Sequence, residues 1–237
     1  IRDQLRSRGL GDVYKRQVLT QSSAYAAQPL DQWFFHGVSS AEYRSNGEGS
    51  SLGRLQLDLG QGKRWGLQVG TSLKEFGDIR DSAVGTMSHT GYPEQDWDLR
   101  FDAQLDPGTT LTVAHQSVDQ DDVWRWHRTV YNPGWNHEGH VAAKGTYLAN
   151  IYQQERTLSY VKIDSTLPAA GSWVQHCSAT LSYQSSYDEE FQDRRAKKSD
   201  AFSSSKFQQL QTADVDTYGI DLEWESNFGP GKWVYGL

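Results

Sequence analysis

The residues best equipped for chemistry crowd into one stretch. Between Asp119 and about Ile151 stand Trp124, Arg125, Trp126, His127, Arg128, Tyr131, Trp135, His137 and His140. Aromatic rings and arginine dominate binding hot spots, loops carry function, and imidazole ligates haem iron. The density predicts a ligand-capturing surface built from Trp124, Arg125, Trp126, His127, Arg128, Tyr131, His137 and His140, with His89 beside Thr90 and Gly91 as a further contact. The competing reading puts Trp124, Trp126 and Tyr131 on a strand extended beyond its sheet, with His127 and Arg128 merely solvated.

Nothing else in the chain has catalytic spacing. Asp121 and Asp122 are adjacent, and neighbours in a strand point to opposite faces. The sequence holds no nucleophile with its base, no phosphate loop and no zinc spacing, so an enzyme is not expected, nor a cofactor or a metal centre. The single cysteine, Cys177, falls in period two with Ala179, Leu181 and Tyr183 and reads as a strand-face residue. Arg194, Arg195, Lys197 and Lys198 follow Asp188, Glu189 and Glu190 in a polar, Ser-rich stretch, a solvated surface or a contact for lipopolysaccharide phosphate. A net charge of −7 argues against nucleic acid as a partner.

The elements that position these residues are strands. Leu55, Leu57 and Leu59 alternate with Arg54, Gln56 and Asp58; Trp65, Leu67, Val69, Thr71 and Leu73 with Gln68, Ser72 and Lys74. Trp97, Leu99, Phe101, Ala103 and Leu105 alternate with Asp98, Arg100, Asp102 and Gln104, and Tyr218, Ile220, Leu222 and Trp224 with Thr217, Asp221, Glu223 and Glu225. Period two means a strand with one apolar face, and about ten tilted residues cross a bilayer. Residues 110 to 118 and 156 to 163 alternate imperfectly, which leaves their facing open.

Connectors separate a barrel in lipid from a soluble sheet. Short ones, at Gln61 to Lys63, Asp106 to Thr109, Asp164 to Ser172 and Asn227 to Gly231, take turns with long ones, at Phe76 to Asp96, Asp119 to Ile151 and Tyr187 to Ala213. Such alternation belongs to outer-membrane barrels, with turns inside and loops outside the cell. Tryptophan agrees: strands starting at Trp33, Trp65, Trp173 and Trp233, and the one ending at Trp224, share the short-turn rim, while Trp97 marks the other. The alternative is a sandwich whose strands tryptophan caps. No run of eighteen apolar residues exists, and 36% hydrophobic residues suffices when only alternate positions are apolar.

Asp12, Val13, Tyr14, Lys15, Arg16 and Gln17 resemble the in-frame translation of a transposon-end adaptor used in sequencing libraries, so residues 1–17 are expected to be a non-native scar. Removing its five basic and two acidic residues takes the net charge from −7 to −10. Residues 18–31 then read as an irregular lead-in, and residues 32–237 as a fragment of a larger barrel.

That stretch resembles the barrel of a TonB-dependent outer-membrane receptor of the haemoglobin/transferrin/lactoferrin receptor type. The resemblance rests on Leu73-Lys74-Glu75-Phe76-Gly77-Asp78-Ile79-Arg80, on Thr90-Gly91-Tyr92, and above all on Ala114-His115-Gln116 through Gln120-Asp121-Asp122-Val123 to His127-Arg128-Thr129-Val130-Tyr131. Gln154-Glu155-Arg156-Thr157-Leu158-Ser159-Tyr160 and Asp214-Val215-Asp216-Thr217-Tyr218-Gly219 add to it, while Trp124 stands where the family would have proline. It implies an all-β, antiparallel transmembrane β-barrel of about 22 strands, of which this chain holds about nine as an up-and-down meander, open because truncated. It also implies an N-terminal plug, absent here, through which an inner-membrane TonB complex supplies energy.

The expected function is therefore outer-membrane import of an iron source (haem, haem-protein or siderophore) or a similar scarce nutrient, with outer-membrane lipid and an extracellular iron or haem ligand as partners. The alternatives are a passive porin or adhesin barrel, and a soluble β-sandwich carbohydrate-binding module whose tryptophans stack on sugars. Which ligand is transported does not follow from a subfamily label.

Overall fold

Alternating side chains set the strands, and backbone pairing carries them further than the alternation does. The computed structural model describes residues 31–45, 47–137, 139–167, 173–194, 207–228 and 231–236. In chain order the strands are β1 (Trp33–Arg44), β2 (Ser50–Gln61), β3 (Trp65–Phe76), β4 (Ile79–Asp81), β5 (Gly85–Met87), β6 (Tyr92–Asp106) and β7 (Thr109–Trp124). They continue as β8 (Trp135–His137), β9 (His140–Ala142), β10 (Tyr147–Thr166), β11 (Val174–Arg194), β12 (Phe207–Phe228) and β13 (Gly231–Gly236). One nine-stranded sheet has the order β1-β2-β3-β6-β7-β10-β11-β12-β13, every neighbour antiparallel; β4-β5 and β8-β9 are small separate hairpins. The chain is thus an all-β meander, and its sheet is open, with β1 and β13 at the edges.

Burial is reversed from that of an ordinary sheet. One face carries Asp58, Gln68, Ser72, Asp98, Asp102, Thr112, Ser178 and Gln192, all buried, Asp102 to 1% exposure. The other carries Leu55, Leu57, Val69, Leu73, Trp97, Val161, Ile163, Leu181 and Ile220, all exposed, Ile220 to 66%. Among the described residues the buried hydrophobic side chains are Phe34, Ala114 and Trp126, and no second layer covers the apolar face. Burial of one face of a single sheet is what curvature toward that face produces, so the polar side is the concave one.

That side is cross-linked by ion pairs and hydrogen bonds. Arg54 on β2 reaches over β3 to Asp98 on β6 with two bonds, 2.8 and 3.2 Å, and also meets Ser72 and Gln56. The crossing runs above Gly70, where a Cβ would lie 2.5 Å from an Arg54 nitrogen and 2.7 Å from the Asp98 carboxylate. Arg100 grips Asp102, which also accepts the Thr112 hydroxyl at 2.7 Å; Lys74 joins Glu94 and Asp96. Buried charge needs such partners.

The strands are tilted. The mutual partners Gly37, Leu57, Val69, Leu99, His115, Ser159, Tyr183 and Tyr218 form one row across eight strands. It starts four residues above the first residue of β1 and ends ten above the last of β12. Six residues of stagger is roughly 20 Å over roughly 34 Å of width, a tilt of about 30°, close to what barrel closure requires.

Connectors at one end are the short 62–64, 107–108, 167–173 and 229–230; at the other they are 45–49, 77–91, 125–146 and 195–206. The second set is shorter than the sequence suggests: β6 begins at Tyr92, and β11 and β12 absorb most of the polar stretch from Tyr187 to Ala213. Apolar alternation stops where the apolar band stops, but the ladder needs only backbone and runs on to Arg194 opposite Phe207. Residues 1–17, most of the lead-in, and Arg195, Lys197 and Lys198 lie outside the described residues. Among the described residues no helix is long and apolar enough to cross a membrane, which says nothing about strands.

Candidate functional site

Two of the longer connectors are built as folded structures, and together they assemble the best candidate surface. In 77–91, Asp78 Oδ1 accepts the backbone N–H groups of Thr90 (2.7 Å) and Gly91 (2.8 Å), which ties the exit of the loop to its return. Thr90 Oγ1 accepts the Ile79 N–H and donates to the Met87 carbonyl, while Phe76 and Tyr92 pack at 4.7 Å across the neck. Asp81 accepts from Ala83 and Val84, turning β4 into β5. His89 follows, held at φ 69°, a left-handed conformation uncommon outside glycine.

In 125–146, a 3-10 turn at Trp126–Arg128 is pinned from beneath. Thr129, fully buried, donates its hydroxyl to the Trp126 carbonyl. Asn132, 1% exposed, donates to the carbonyls of His127 (2.9 Å) and Ala143 (3.2 Å) and accepts from Gly134. Backbone bonds from Val130 to Tyr147 and from Arg125 to Asn150 fasten the loop to β10, and one from Thr146 to Arg128 closes the loop on itself. Gly145 passes so close to the Thr129 carbonyl that a Cβ would sit 1.7 Å from it.

The two connectors meet through three rings. His89 stacks on Trp124 at 4.6 Å and tilts against Tyr131 at 4.5 Å; Trp124 and Tyr131 stand edge to face at 6.0 Å. A bulge aims Trp124. Tyr152 opposes Val123 while Gln154 opposes Gln120, so β7 carries one extra residue there, with Asp122 at φ 52°. Asp122 also accepts the Trp124 indole N–H at 2.8 Å.

A second group lies nearby. Arg125 lies over the Tyr152 ring at 4.1 Å. Burial, together with the hydrogen bond to Glu190, pushes the Tyr152 hydroxyl up to about 12 against the pull of Arg125. Burial would raise Glu190 too, but the Tyr152 hydroxyl, the Gln192 amide and the charges of Arg125 and Arg128 outweigh it and hold its carboxyl below the ordinary range.

Of the residues expected from sequence, His89, Trp124 and Tyr131 come together, and Arg125 and Arg128 flank the Tyr152–Glu190 pair. His127 is exposed. Trp126 is 7% exposed and lies beneath the loop as its anchor. Trp124 ends β7, as the extended-strand reading has it, whereas Trp126 and Tyr131 are on the loop. His137 and His140 oppose each other in β8–β9, but their side chains lie outside the described residues. Sequence reasoning missed Asn132 and Tyr152, and it set Asp122 aside as a strand carboxylate and Glu190 as part of a solvated charged stretch. Asn132-Pro133-Gly134 is a turn signal that points to the first half of the loop's anchoring, but the Tyr152–Glu190 pairing depends on register and has no local mark.

The surface offers ring faces, exposed guanidinium groups and pinned loops. Among the described residues no group of three or more His, Cys, Asp or Glu side chains is placed to hold a metal ion. No protein-family model, curated protein or solved structure matches the chain.

Proposed function

We propose that the sheet is a wall segment of a bacterial outer-membrane barrel, an energised receptor of the TonB-dependent class that imports an iron source or a comparable scarce nutrient. The observation that carries the reading is the reversed burial: charged side chains paired on the concave face and rows of leucine, valine and tryptophan open on the convex one. A soluble sheet would need another layer over those rows, whereas acyl chains cover them at no such need. The aromatic rims support it as well. Trp33 and Trp65 pack at 5.8 Å at the short-turn end, where Trp224 and Tyr235 also pair, and Tyr183 and Tyr218 pack at 5.1 Å toward the other.

Within this reading the connectors 77–91 and 125–146 face the outside and the three rings receive the ligand. The receptor class itself rests on the sequence resemblance, with the plug and the TonB complex as partners of the full-length protein. The test uses the full-length protein in detergent, titrated with haemin and with a ferric siderophore while tryptophan fluorescence is followed. Saturable quenching that weakens at least tenfold in both His89→Ala and Trp124→Ala is expected. Solute permeation through reconstituted barrels without any ligand binding would favour the passive porin, and a protein that stays monodisperse without detergent would remove the membrane reading altogether.

A further inference from the structure

Strands β7 and β10 break the apolar band, and the break has a shape. On β6 the convex face presents Phe101, Leu99 and Trp97 in rising order, and on β11 Ala179, Leu181 and Tyr183. Between them β7 presents Leu111 and Val113 and then His115 and Ser117; β10 presents Ile163 and Val161 and then Ser159 and Thr157. Register fixes the facing, since His115 opposes Leu99 and Ser159, and Ser159 opposes Tyr183. In the row of His115 and Ser159 the neighbours on both sides, Leu99 and Tyr183, belong to the apolar and aromatic band; in the row above, Ser117 and Thr157 stand between Trp97 and Ser185, so there the gap is walled on the β6 side alone. The gap is roughly 10 Å wide and runs roughly 13 Å along the strands.

It is an organised gap. His115 Nδ1 and Ser159 Oγ are 2.7 Å apart across the β7–β10 seam, and the Trp97 ring stacks on the imidazole at 4.3 Å, leaning in from β6. Tyr183, which donates its hydroxyl to Asp216, stands on the far side. Above, the polar surface continues without interruption through Asp119 and Glu155, so the gap opens upward. Below, Val161 and Ile163 stay 41% and 44% exposed and still require acyl chains.

We propose that this notch is a seat for the polar headgroups of outer-leaflet lipid, which descend between Trp97 and Tyr183 and locally thin the bilayer. The inference rests on the outer-membrane reading above. The hydroxyls of Ser117, Thr157 and Ser159 suit ester, hydroxyl and phosphate groups, the opening faces the headgroup region, and a width of roughly 10 Å admits one lipid. A second protein would have to cover the apolar half-band beneath as well. A hydrophobic span shorter than its neighbours draws the bilayer down at modest cost per ångström.

The experiment refolds the full-length protein into phosphatidylcholine vesicles whose saturated acyl chains lengthen in two-carbon steps. The parent is compared with His115→Leu/Ser117→Leu/Thr157→Val/Ser159→Val and with the milder Thr157→Val/Ser159→Val. Filling the notch moves the chain length of maximal folded yield upward, and the milder variant moves it in the same direction by less. An unchanged optimum in the milder variant, provided it folds, overturns the proposal. So does a parent that is dimeric in detergent and becomes monomeric in the filled variants at the same optimum, which would make the notch a contact between copies. A parent that enters no vesicle at any length overturns the outer-membrane reading itself.

Discussion

At the scale of single residues, the chain places its least forgiving positions where a side chain is missing. Gly70 leaves the opening through which Arg54 reaches Asp98, and Asp98 is 5% exposed. Gly70→Ala is expected to lower stability by about 1 to 3 kcal/mol, because the added methyl displaces the pair and overpacking costs that much. Gly53→Ala, whose nearest neighbour would be 3.9 Å away, should be close to neutral. Urea unfolding of the two variants in the same detergent checks the contrast. The Tyr152–Glu190 pair makes a different prediction, in pH. Since Tyr152 ionises near 12 when folded and about 10 when free, the loop loses support as pH rises from about 10 to about 12. Glu190 is lowered by folding, so its contribution is present above the ordinary glutamate value and disappears as pH falls through the lowered one. The difference in tyrosinate absorbance between the parent and Tyr152→Phe should appear near pH 12; a difference centred at 10 would refute the pairing.

At the scale of elements, the sequence reads well wherever one face must be apolar. The expected connectors, Gln61 to Lys63 and Asp106 to Thr109, fall within a residue of the observed 62–64 and 107–108, because turn residues and alternation agree there. Reading fails above the band, where β10, β11 and β12 become polar on both faces and period two carries no signal. It also leaves open the facing of 110 to 118 and 156 to 163, since His115 and Ser159 look inward by composition yet sit on the convex side. On that side, Leu57→Arg or Leu99→Arg should cost about 2 to 4 kcal/mol near a bilayer midplane and block assembly of the full-length protein in the membrane. A normal folding yield in lipid for either variant would disprove the convex assignment.

At the scale of the whole molecule, the rings of the candidate surface were visible in the sequence but their meeting was not. His89 lies in one connector, Tyr131 in another and Trp124 at the end of β7, and only the order β3-β6-β7 brings them together. The same order sets an uneven skyline. β2 and β3 have 12 residues each, whereas β10, β11 and β12 have 20, 21 and 22. With similar lower ends, the surplus rises as a parapet of roughly 30 Å along β10 to β12, above the lower β1 to β3 on one side and the six described residues of β13 on the other. If the three rings receive a ligand, as proposed, a bulky one meets this parapet on the β10 to β12 side and a lower wall beside β1 to β3, while a small molecule is less constrained. Deleting 189–194 together with the paired 207–212 keeps the β11–β12 register of what remains and lowers two of the three tall strands, with the loss of Glu190 opposite Tyr152. On the proposed reading, the association rate of a large ligand should change on that deletion by more than that of a small one, and strand height would then sort visitors by direction as much as by size.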